Sequence, residues 1–129
     1  MSGAALSATA AAASDPAAPV DSFEARVELA KAMEQRFAAF HSAMDRDLGG
    51  QYQAAMRACF AGTPQPETEA FTLVGDLMPN GRLSEVAVRP ATNIGSCFAA
   101  ALKTMQFPKL PADLALGSFP IAIRMNIAP

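Results

Sequence analysis

From Phe23 onward, apolar residues recur at steps of three and four: Phe23, Val27, Ala30, Met33, Phe37, Phe40, Met44 and Leu48. That spacing keeps them on one stripe of an α-helix. The other side carries Glu24, Arg26, Glu28, Lys31, Glu34, Gln35, Arg36 and Asp45. Asp21 precedes the run and Glu24 follows three residues on, a pairing that suits a helix start. The pattern predicts one long helix over 22–48, stopped by Gly49-Gly50. A second helix is expected over 51–61, with Tyr52, Ala55, Met56 and Cys59 on its apolar face and Gly62 at its end.

The period changes after Thr63-Pro64-Gln65-Pro66. Residues 69–77 alternate, with Phe71 and Leu73 on one face, which is the two-residue period of a strand. Met78-Pro79-Asn80-Gly81 reads as a turn, because proline presets its φ and Asn-Gly accepts positive φ. Residues 82–89 return as the partner strand, with Val86 and Val88 on one face and Leu83 between faces. Thr92 or Asn93 can cap a third helix over 94–105, whose inward residues would be Ile94, Cys97, Phe98, Ala101, Leu102 and Met105. Phe107-Pro108 ends it, and 109–117 reads as loop. Residues 119–127 alternate again: Phe119, Ile121, Ile123, Met125 and Ile127 face one way, and Ala122, Arg124 and Asn126 the other. Pro120 places the start of that strand at an edge. The order α-α-β-β-α-β defines an α+β fold, a small antiparallel sheet with helices packed on one face.

Composition adds bounds. The 129 residues, 51% of them hydrophobic, suffice for one domain. We place it at 21–129. Residues 1–20 are low-complexity and rich in Ala and Pro. They fit a signal-peptide remnant, with Ala11 and Ala13 ahead of a cut, or a linker. The net charge of −2 and the scatter of the ten basic residues argue against a nucleic-acid partner. No apolar run reaches the roughly 20 residues of a membrane span. Cys59 and Cys97 fit either one disulfide of an exported protein or two buried thiols. A disulfide would contribute roughly 4 kcal/mol by loop-closure entropy.

Candidate chemistry is sparse. His41, the single histidine, falls at the border of the apolar stripe, which suits a boundary residue. There is no G-x-S-x-G elbow, no phosphate-binding glycine loop and no calcium-loop spacing. Met33, Met44 and Met56 lie on apolar helical faces, as core residues do. We expect no catalysis, no cofactor and no metal; a zinc or copper site from Cys59, Cys97 and His41 is the competing reading.

The stretch from Phe71 to Ile127 resembles the C-terminal domain of TonB-type periplasmic proteins. It is most similar to the two-cysteine type at the ends of AgmX/PglI gliding-motility proteins. The resemblance rests on Asn80-Gly81, Val86-Ala87-Val88, Ala100 to Leu102, Phe107-Pro108, the alternation from Ile121 to Ile127, and the positions of Cys59 and Cys97. It implies a periplasmic or secreted, disulfide-bonded domain that binds a protein segment by adding a strand to its sheet edge. The residues so implicated are Phe119, Ile121, Ala122, Ile123 and Arg124. A small periplasmic inhibitor or immunity-type protein is the alternative role. The long N-terminal helix is no part of the shared pattern, and its self-association into a homodimer stays open.

Overall fold

The first helix starts at Ser22, whose hydroxyl accepts the Ala25 N–H at 3.1 Å. The computed structural model describes residues 22–110 and 117–127. The Ala/Pro segment, the expected cap Asp21 and most of the loop after Pro108 lie outside them. The elements are α1 (Phe23–Arg36), α2 (Ala38–Ala61), β1 (Phe71–Leu77), β2 (Leu83–Arg89), α3 (Asn93–Thr104) and β3 (Phe119–Met125). This is the expected α+β order, with helices packed on a three-stranded antiparallel sheet of order β2-β1-β3.

The helix break falls elsewhere than the glycines predict. Phe37 leaves helical geometry, at φ −120° and ψ 48°, while α2 runs unbroken through Gly49 and Gly50. Packing decides this. Phe37 and Phe40 both set their rings edge-on to Phe119, at 5.8 and 5.2 Å between centroids. A helical glycine costs only about 1 kcal/mol relative to alanine. Burial of Met44, Leu48, Tyr52 and Cys59 along α2 outweighs that cost. Hydrogen bonds from the Phe37 N–H to the Met33 carbonyl (2.9 Å) and from the His41 N–H to the Phe37 carbonyl (3.0 Å) persist, so the break is a kink.

The kink sends the two helices to different faces of the sheet, so the expected packing on one face holds for α2 and α3 but not for α1. Phe71, Leu73 and Leu77 of β1 share one buried cluster with Phe119 and Ile121 of β3 and with Tyr52, Phe98 and Leu102. Phe98 of α3 meets Phe71 at 5.8 Å and Tyr52 of α2 at 6.1 Å. Thr72, Val74 and Asp76 point the other way by the strand alternation. Val74 is nonetheless fully buried, because α1 crosses that second face. The N-terminal end of α1 lies over β2, where the Phe23 ring sits 5.0 Å from the Arg89 guanidinium. Arg26 pairs with Asp76 at 4.0 Å and donates to the Glu85 carbonyl.

The hairpin forms where expected, with two differences. Only Gly81 of the turn takes positive φ (+84°), while the Asn80 side chain accepts the Arg82 N–H at 2.9 Å. A Cβ at Gly81 would lie 2.5 Å from the Phe107 carbonyl oxygen. That close approach lets the Phe107 N–H reach the Gly81 carbonyl at 2.8 Å and ties the turn to the exit of α3. The second difference is a β-bulge opposite Gly75, between the Val74–Ala87 and Asp76–Ser84 pairs. Glu85 occupies it at φ +53°. The inserted residue shifts the phase of β2, so Leu83 joins Val86 and Val88 against the core instead of lying between faces. Left-handed backbone is costly for a residue with a Cβ. We expect Glu85→Gly to stabilise the fold by about 0.5–1 kcal/mol, read as a higher urea midpoint; an unchanged or lower midpoint would show that the bulge stores no strain.

Thr92 caps α3, accepting the Gly95 N–H at 2.9 Å. Ile94, Phe98 and Leu102 are buried as the spacing predicts, with Ala99 taking the inward position expected for Ala101. Cys59 and Cys97 form a disulfide with Cα atoms 5.8 Å apart, joining the end of α2 to the start of α3. In the disulfide neither sulfur is available as a thiolate ligand.

Candidate functional site

β3 pairs with β1 alone, so its outer edge has no strand partner among the described residues. Such an edge presents unpaired N–H and C=O groups that another chain can meet. Of the five residues implicated from sequence, Phe119 and Ile121 are core residues with almost no exposed surface. Phe119 is further covered by Phe37 and Phe40. Ala122 and Ile123 are half-buried and Arg124 is exposed. The accessible part of the strand is therefore its second half.

That half borders a groove of about 640 Å³. Met56 and Phe60 of α2 form one wall, Met125 and Ile127 the other, with Gln53, Arg57 and Asn126 at the rim. Sequence reasoning placed Met56 in the core and gave Phe60 no role. In the structure both are half-buried and border the groove. The only signal for Phe60 was its place four residues after Met56, on the same side of α2.

A second concavity, of about 570 Å³, lies on the other face beside the bulge, lined by Arg26, Leu29, Asp76, Glu85 and Pro120 among others. Leu29 is the one large apolar residue that is markedly exposed among those described.

His41 sits at the kink. Its Nε2 is 3.6 Å from a Glu34 oxygen on α1, and its Nδ1 is 3.3 Å from an Asp45 oxygen on α2. Burial raises the Asp45 carboxyl above its usual range, His41 opposes that, and Glu34 adds to it. The Tyr52 hydroxyl is also pushed up, first by burial and then by the Asp45 charge. That hydroxyl is buried and has no hydrogen-bond partner among the described residues. An unpaired buried hydroxyl costs about 1–3 kcal/mol. Tyr52→Phe should therefore stabilise the protein by about 1 kcal/mol in urea unfolding at pH 7. A loss of similar size would show that the hydroxyl is satisfied after all.

Among the described residues, no three His, Cys, Asp or Glu side chains converge as metal ligands. None of the helices there is long and apolar enough to cross a membrane. A disulfide without such a span is compatible with an oxidising, non-cytoplasmic location. No family model, curated protein or solved structure matches the chain.

Proposed function

We propose that this chain is a non-catalytic protein-interaction domain of the cell envelope, periplasmic or secreted, similar to TonB C-terminal domains. It binds an extended segment of a partner along the free edge of β3. The observation that carries this reading is the open edge of β3 over residues 123–125, lying directly beside the apolar groove of Met56, Phe60, Met125 and Ile127. An added strand gains main-chain hydrogen bonds from the edge and seats alternate side chains in the groove. The disulfide supports an oxidising compartment, since such bonds persist there and are rare where thiols are kept reduced.

The test is selection of binders from a random peptide library, followed by amide exchange of the bound domain. Exchange should slow at residues 123–127, and Met56→Asp should abolish binding while leaving the circular dichroism unchanged. Peptides that protect another surface, or that bind the Met56→Asp variant equally well, would end this reading.

A further inference from the structure

Thr72 stands at the centre of a cross-strand row, paired with Arg89 of β2 on one side and Arg124 of β3 on the other. Residues paired across strands project to the same face. Both guanidinium groups therefore rise from the second face of the sheet, one on either side of the Thr72 hydroxyl. Neighbouring strands are about 4.8 Å apart, which sets the two arginine backbones at about 10 Å, within reach of a common point above Thr72. The three side chains line one concavity of about 220 Å³ with Ala70, Phe71 and Pro90, and no carboxylate lines it, whereas the adjoining concavity that Thr72 and Arg89 also line carries Glu24 and Glu28.

Arg89 is mostly exposed and is met from above by α1. Its guanidinium sits 5.0 Å from the Phe23 ring centroid and 3.5 Å from a Glu24 carboxylate oxygen. Arg124 is exposed and forms no ion pair among the described residues. Like charges in one row of a sheet repel, and an anion between them removes that repulsion. The geometry also selects the anion's shape. A planar carboxylate offers one edge and satisfies one guanidinium fork, whereas a tetrahedral oxyanion can meet two forks and a hydroxyl together.

We propose that the Arg89–Thr72–Arg124 row is a binding site for a tetrahedral oxyanion, a phosphate group either free or carried on a monoester. Glu24, whose side chain is mostly exposed, occupies one side of Arg89 and gives way when the anion enters. The site needs no protein partner and does not depend on strand addition at β3.

The test is a titration of the disulfide-intact chain with inorganic phosphate and with glycerol 3-phosphate, at constant ionic strength, followed by amide and arginine side-chain NMR. Acetate serves as the planar anion. Vesicles of phosphatidic acid in phosphatidylcholine distinguish a lipid headgroup from the free anion. Saturable shifts centred on Thr72, Arg89 and Arg124 are expected for both phosphates, with acetate weaker. Loss of one charge-assisted pair in Arg124→Gln should weaken phosphate about tenfold or more. Glu24→Gln should tighten it, because a competing carboxylate is gone. Arg124 is exposed, so its variant folds, and the result does not rest on Arg89→Gln, which also loses the Phe23 contact. Retention on phosphatidic acid vesicles that soluble phosphate competes away identifies a headgroup as a source of the same anion. Shifts spread evenly over all basic residues, acetate binding as tightly as phosphate, or vesicle binding indifferent to soluble phosphate would each overturn the proposal.

Discussion

Replacing Cys59 and Cys97 together by serine should cost about 4 kcal/mol of stability, the loop-closure entropy of a bond that spans several tens of residues. The bonded residues are 38 apart in sequence. The open form of that loop includes the whole β1–β2 hairpin, so the unbridged chain gains freedom over more than a third of the domain. A domain of this size has only about 5–15 kcal/mol in total, so the variant should unfold at a much lower urea concentration. Reduction of the wild-type protein should reproduce the shift, and a reductant should leave the double variant unchanged. The bond lies one turn from Met56 and next to Phe60, where α2 borders the groove. Reduction should therefore loosen the groove wall as well, speeding amide exchange over 56–60 before the core opens. A loss below about 1 kcal/mol would mean that the Tyr52–Phe98 contact alone fixes α2 on α3 and that the unfolded chain was already compact.

The parts that could be read from sequence are those whose signal is local. Alternation marked all three strands, and the turn chemistry of Pro79 and Gly81 placed the hairpin. Helical spacing put Cys59 and Cys97 on inward positions of two helices that the structure joins. What could not be read depends on distant partners. Phe37 fits the helical stripe, and nothing near it in sequence shows that it turns onto Phe119 at the far end of the chain. The bulge at Glu85 was invisible because no glycine marks the positive φ, and its one trace was that Leu83 fell out of phase with Val86 and Val88. Alternation also cannot separate a buried face from a contact surface. The resemblance implicated Phe119 and Ile121, which are sealed into the core. The groove joins Met56 and Phe60 to Met125 and Ile127, and the arginine row joins Arg89 to Arg124 through Thr72. Both require the strand order and register, which no single segment encodes.

Phe119→Ala should lower stability by about 3–5 kcal/mol, the usual range for a fully buried phenylalanine reduced to alanine. Its ring has no exposed surface and holds three elements at one corner of the sheet. On β3 it opposes Leu77 of β1, and it receives the edges of Phe37 at the kink and Phe40 at the start of α2. The kink is where the chain passes from the second face to the core face, so loss of this ring should free α1 as well as open a cavity. Amide exchange should then quicken at Val74, which α1 keeps covered, more than at Leu73 beneath α2 and α3. Aromatic pairs add about 0.5–1.5 kcal/mol beyond the area they bury. Phe37→Ala combined with Phe119→Ala should therefore cost less than the sum of the two single changes by that amount. Strict additivity would show that Phe37 is not held by Phe119, and the kink would then need another cause. Arg124→Gln, on the same strand but exposed, should leave the unfolding midpoint within about 0.5 kcal/mol of wild type, which separates the structural corner of β3 from its free edge.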